Sequence, residues 1–362
     1  MKTFFKFCLL ITLFYCGFVV LALSVSADTI VNYDISSDTH WTTDGSPYLI
    51  YADSKQDLTV VQNATLTIDP GVTVKFNLDT GLNIRGQLIA HGNSDTPITF
   101  TSIYDNGGSI GSAYPGDWYG IVVKGADSVL KHVHIKYAGR DGFIGYDKPF
   151  SLYLSGYNTH FTNSIVEDGY GNGVWLDYFY YGLVHNNVIR NHEENGVVIS
   201  HSYVDMYNNA IQGNGKNGIS LEDRSQANFS HRKVNIHSNS IQWNEGSGIY
   251  MNTLLAPEIH DNEVSYNGTG INVQTGYPRI HHNNILDNYI GVKVKMNWPL
   301  VISNNNFENN ESYDIQVESF ADYSGVIAED NWWGSDEPSV GDEITTGVNA
   351  DSWLYEAAEI IN

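Results

Sequence analysis

The stretch Ile259-His260-Asp261-Asn262-Glu263-Val264-Ser265-Tyr266-Asn267-Gly268-Thr269-Gly270-Ile271-Asn272-Val273 decides the fold. Two short runs in it alternate with a period of two, so Ile259, Val264, Ile271 and Val273 point to one side and their neighbours to the other. A strand of three or four residues is unstable alone but can pair with its counterpart one repeat away. The unit does recur. Its first Asn falls at Asn163, Asn187, Asn209, Asn239, Asn262, Asn283 and Asn305, and its glycine at Gly173, Gly196, Gly218, Gly248, Gly270 and Gly291. Steps between the asparagines run from 21 to 24 residues, with one step of 30 where Glu222 to Lys233 is inserted. Self-similarity at this period is the signature of a solenoid. The spacing predicts an all-β chain, a single-stranded right-handed parallel β-helix of about a dozen coils. Asn and Gly are expected at its corners, where left-handed backbone angles are needed, with stacked Asn side chains bonding coil to coil.

Outward from the repeats the theme continues less regularly. Leu58 to Val61, Ala64 to Ile68, Val72 to Phe76, Gln87 to Ala90 and Ile98 to Thr101 read as strands. One domain over 28–362 is expected: irregular coils at 58–140, regular repeats at 160–320 and a closing cap at 328–362, with Trp332 and Trp333 covering the exposed end of the core. Residues 1–27 read as a signal peptide. Lys2 and Lys6 precede the apolar run Phe7 to Leu23, and Val25-Ser26-Ala27 forms a small-residue cleavage site. No second hydrophobic stretch follows, so no membrane span is expected in the mature chain, which is expected to be a monomer, secreted, periplasmic or at the cell surface. Both cysteines, Cys8 and Cys16, lie in the signal, which excludes disulfides and thiolate metal sites from the mature protein.

Without Lys2 and Lys6 the 18 basic residues fall to 16 against 41 acidic ones, a formal charge of −25. That balance excludes nucleic acid as a partner, because binding it needs a basic footprint. Polyanionic sugars are disfavoured too, unless a cation or a local basic patch overrides the field.

The Asn-x-Ile and Gly-Ile-x-Val units resemble the right-handed repeats of the pectin-lyase-like superfamily. Ala64 to Phe76 is similar to the opening coils of secreted bacterial β-helix proteins, and Asp330-Asn331-Trp332-Trp333-Gly334-Ser335 with Trp353-Leu354 to their closing segment. The resemblance implies an extracellular protein whose partner is a polysaccharide or cell-surface component. It leaves open polysaccharide lyase, glycoside hydrolase or epimerase activity, a structural or adhesive role without catalysis, and periplasmic copper handling. Val174-Trp175-Leu176-Asp177-Tyr178 is near the pectate-lyase string Val-Trp-Ile-Asp-His but carries Tyr178 in place of the His, and the other lyase, polygalacturonase and epimerase strings are absent.

Register brings distant residues into columns. Asp177, Glu222, Asp223, His201 and Arg224 are expected on one flank as candidate catalytic residues, with Trp175, Tyr178 and Tyr250 as sugar-stacking rings beside them. Paired carboxylates suit acid/base cleavage of a glycosidic bond, and Arg224 suits charge stabilisation in β-elimination. The commonplace alternative is a solvated acidic face. A second column, His237, His260 and His281, with Asp261 and His282 nearby, is a candidate Cu²⁺ or Zn²⁺ site or else a packing ladder of flat rings. The turn Tyr178-Phe179-Tyr180-Tyr181 either packs over the next coil or offers a sugar platform. Ca²⁺ suits so many Asp and Asn, although no complete loop motif is present.

Overall fold

Runs of β-branched residues only three to five long can bury one face only by stacking on copies of themselves, and the chain does so throughout. The computed structural model describes residues 28–51, 57–106, 112–143, 145–222, 234–295, 299–318, 325–334, 338 and 343–360. The segment 1–27, read above as a signal peptide, lies outside them. One strand from each coil joins a thirteen-stranded parallel sheet, beginning with Thr29–Val31 and ending with Trp332–Trp333. Two further parallel ladders make up the other faces, joined through the fourteen-residue strand Asn172–His185, which runs along both. The irregular coils read at the N-terminus contribute Leu58–Val60, Thr65–Ile68, Thr73–Phe76, Gln87–His91 and Ile98–Ser102.

Alternation works as the residues require. Ile259, Val264, Ile271 and Val273 are fully buried, and one apolar core extends from Val31 to Ile344. Trp332–Trp333 forms a regular last rung on Asn306–Phe307, with Trp333 stacked 4.9 Å from Phe307. The chain then continues past it, since Asn331 bridges to Trp353.

The coils are clamped by asparagine files. Asn187, Asn209, Asn239, Asn262, Asn283, Asn305 and Asn331 stand in line, each Oδ1 accepting from the backbone N–H and Nδ2 of the preceding Asn at 2.9–3.1 Å. Asn163 is not part of this file. Strand pairing places Ser164 on the rung of Asn187, and the Ser164 N–H donates to Asn187 Oδ1. Asn163 instead meets Asn186.

The expected reason for Asn and Gly at the corners also needs correction. The left-handed position is the residue before each file Asn: Asn186, Asn208, Ser238, Asp261, His282, Asn304 and Asp330, at φ of +53° to +58°, with Asn163 at +52° before Ser164. The repeat glycines have ordinary φ and are needed for close approach. A Cβ on Gly270 would lie 2.5 Å from the Gly291 carbonyl oxygen, and the other five would meet the next coil's backbone oxygen at 2.6–2.8 Å. A second file, five residues on, runs through Asn214, Asn244, Asn267, Asn288 and Asn310.

Candidate functional site

Stacking fixes the outward columns. Pairing runs Tyr153, Trp175, Val198, Ser220, Tyr250, Asn272 and Lys293 along the middle of one face. Two residues on, where the strand reaches its corner, Asp177 pairs with Ser200. Tyr178 and His201 turn that corner at φ of +51° and +47°, and their rings stack 4.7 Å apart and 5° from parallel.

This geometry gathers three groups into a chain. The Tyr153 hydroxyl donates to Asp177 Oδ2 at 2.8 Å, and Asp177 Oδ1 lies 2.9 Å from His201 Nδ1. A carboxylate only accepts, so Nδ1 of His201 carries a proton. Burial first, then the hydrogen bond and charge of Asp177, push the Tyr153 phenol far above its ordinary value, so it stays protonated. Asp177 is largely shielded, with 18% of its side chain exposed. The arrangement holds an imidazole and a protonated phenol on either side of one carboxylate.

The other expected residues are distributed differently. Glu222 lies two rungs beyond Asp177, tied to Lys148 Nζ at 3.0 Å and to the Ser220 hydroxyl at 3.0 Å. Trp175 is edge-packed by Tyr153 and Phe150, with the Lys148 ammonium over its ring at 6.0 Å, so it presents little open face. Tyr178 is half-exposed and accessible. Tyr250 shares the column of Trp175 but stands three rungs away, beyond Val198 and Ser220. Asp223 and Arg224 lie outside the described residues.

Sequence reasoning missed two participants. Tyr153 belongs to the coil before the regular repeats, where Ser151 stands in place of the repeat glycine, and extending the Trp175 column back one rung would have found it. Lys148 comes from the segment leading into Phe150–Tyr157. That segment also brings Phe143 and Tyr146 over the face, with Lys124 5.3 Å above the Tyr146 ring.

The histidine column is a ring stack. His185, Tyr207, His237, His260 and His281 follow one another at 4.6–5.2 Å and within 12° of parallel. The last three histidines engage ring nitrogens with neighbours: His237 Nε2 with Asp205, His260 Nδ1 with Asp261 and Nε2 with Asn235, His281 Nε2 with Glu258. His281 Nδ1 lies 3.0 Å from His282 Nδ1. Among the described residues, no group of three or more His, Cys, Asp or Glu side chains is arranged to hold a metal ion.

Fold and columns together define a parallel β-solenoid with a polar cluster at a corner of one outer face. The family profile described as right handed beta helix region matches residues 26–234 and 227–335, and the chain belongs to that family. No match was found among curated proteins. Among solved structures, the chain is similar to the mannuronan C-5 epimerase AlgE6 A-module of Azotobacter vinelandii, at 15% identity and a TM-score of 0.58, covering 87% of this chain and 91% of that one. Two variants of the periplasmic alginate epimerase AlgG are also similar, at 15% and 14% identity and TM-scores of 0.65 and 0.63, each covering 88% of this chain and 84% of that one. At these identities the likeness establishes the fold. No helix among the described residues is long and apolar enough to cross a membrane.

Proposed function

We propose that this protein acts outside the cytoplasm on an acidic polysaccharide, moving a proton on a bound uronate in the manner of a lyase or epimerase. The reading rests on the chain His201–Asp177–Tyr153, which joins an imidazole to a shielded, protonated phenol through one carboxylate. In this reading His201 takes the hydrogen beside the sugar carboxylate and returns it to the sugar or to the leaving glycosidic oxygen, while Asp177, anchored by the Tyr153 hydroxyl, orients the imidazole. Lys124, over the Tyr146 ring, is a positive charge near this face for a polyanion to meet, while Lys148 is paired with Glu222 and would have to exchange that partner for a uronate. The likeness to alginate epimerases points the same way, as does the targeting signal read at 1–27.

The test is incubation with polymannuronate, polyguluronate and polygalacturonate, reading unsaturated-product absorbance and the C5 configuration by NMR. Activity on one of them should fall at least a hundredfold in His201→Gln and Tyr153→Phe, whose melting temperatures stay near that of the parent. No change in any polymer overturns the proposal and leaves a rigid, non-catalytic surface protein, and full activity in both variants overturns the placing of the chemistry at His201 and Tyr153.

A further inference from the structure

Around the corner from Asp177, the same long strand continues along a second face that the proposed chemistry does not use. Its outward residues form three parallel columns. The first is a rail of phenol rings, Tyr157, Tyr180, Tyr181 and Tyr203, with Tyr157 and Tyr181 6.4 Å apart, Tyr180 and Tyr203 5.1 Å apart, and Tyr181 and Tyr203 6.0 Å apart and 6° from parallel. The middle column is Leu183, Asp205 and Asn235. The third is the ring stack of His185, Tyr207 and His237. Tyr203, Asp205 and Tyr207 alternate on one strand, which sets the rails roughly 13 Å apart. Between them, against the tyrosine rail, lies a groove of about 430 Å³ lined by Tyr181, Leu183, Tyr203, Asp205 and Asn235.

Phe179 takes the packing role in the aromatic turn and is fully buried. Tyr181 is 71% exposed, so it contributes little to the core and its position calls for another explanation. Asp205 is the one charged residue lining the groove among the described residues. Its Oδ1 accepts from Asn235 Nδ2 at 2.9 Å and from His237 Nε2 at 3.1 Å. Those two bonds hold Oδ1, and with 47% of its side chain exposed the Asp205 carboxylate is open to a further donor. An acceptor-only floor repels anions and selects hydroxyl donors, while phenol rings and Leu183 supply apolar contact. Both rails run along the solenoid axis over successive coils, which suits a linear chain.

We propose that this groove is a second saccharide site, for a neutral hexose chain whose hydroxyls donate to Asp205 Oδ2 and whose carbon faces rest on Tyr181 and Tyr203. It lies apart from the His201 cluster and stands whether or not that cluster is catalytic. A polymer with neutral and acidic stretches would be held here while its acidic part is presented around the corner.

The test is calorimetric titration of the full chain with linear neutral β-1,4-linked glucose and mannose hexasaccharides, and with a hexuronate of equal length. A neutral oligosaccharide should bind, and its affinity should fall about tenfold in Tyr181→Ala, in Tyr203→Ala and in Asp205→Asn. Tyr203→Phe, which keeps the ring, should retain it, and so should Tyr266→Ala, whose stacked partner Trp243 lies on another corner. Unchanged thermal unfolding in each variant separates lost binding from lost folding. Absence of binding by every neutral oligosaccharide at millimolar concentration overturns the proposal. Equal affinity for the hexuronate, or wild-type affinity in the three groove variants, does so as well.

Discussion

Replacing Asn262 with Ala should remove one rung from the middle of the asparagine file, and its cost follows from the bonds that rung makes. Asn262 Oδ1 accepts from both the backbone N–H and the Nδ2 of Asn239, each at 3.0 Å. Its own Nδ2 donates to the carbonyls of Ile236 and His260 and to Asn283 Oδ1, each at 2.9 Å. The His260 carbonyl keeps a second donor in the Ser238 N–H, but the Asn239 N–H has nothing to replace Oδ1 inside the wall. Asn262 has no exposed surface, so water cannot step in. A buried donor left without a partner costs about 1–3 kcal/mol, and the lost bonds bring the total to about 2–5 kcal/mol. Asn262→Asp should be at least as damaging, because an acceptor would then face Asn283 Oδ1 and a charge would be buried. The measurements are urea unfolding and amide exchange, with the Asn239 N–H the first in the file to lose protection. A loss below about 0.5 kcal/mol, or an unchanged Asn239 exchange rate, would refute the claim that the files hold the coils together.

Gly270→Ala should cost about 1–3 kcal/mol by overpacking, since its Cβ would press on the Gly291 oxygen, and denaturant midpoints would register it. Glu167 is held down to about 2, mainly by its hydrogen bond from His134, against burial, with Arg190 adding to it. A depressed carboxylate stabilises the fold above its unfolded value near 4.5, and that contribution is lost as pH falls from there toward 2, so Glu167→Gln should flatten the acid limb of stability in that window. Full burial pushes His192 down to about 4, so its neutral ring favours the fold above pH 6.5 and loses that advantage between 6.5 and 4. Since His192 occupies the rung that Asn214 and Asn244 continue, His192→Asn should extend the second file and raise the melting temperature at pH 5 more than at pH 7.

The coil period, the inward alternation and the columns were legible because a solenoid converts sequence spacing into spatial contact without intervening topology. Trp175, Asp177 and His201 fell where the count placed them. What the count could not supply was a reason for each residue type. Gly and Asn look alike as corner residues, yet glycine serves contact with the coil above and asparagine serves a side-chain ladder, and only the backbone angles separate those causes. Asn163 shows the limit directly. The local string Asn163-Ser164-Ile165 satisfies the repeat, but pairing of Ile165 with Val188 sets the register one residue later.

The site was half-legible for the same reason. Columns are periodic, so Asp177 and His201 could be brought together from number alone, whereas the partners that give them chemistry enter where periodicity breaks. Tyr153 sits in a coil lacking the repeat glycine, and Lys148 arrives from a segment that leaves the coil to cross the face. The regular columns join Asp177 and His201, while Tyr153 and Lys148 reach the same face from outside the regular repeats. Departures from the repeat, in the segment at 145–149 and at the corner Tyr178–Tyr181, flank Asp177 on either side. His201→Gln with Tyr153→Phe tests one departure and Tyr181→Ala the other, which makes the two readings separable on one protein.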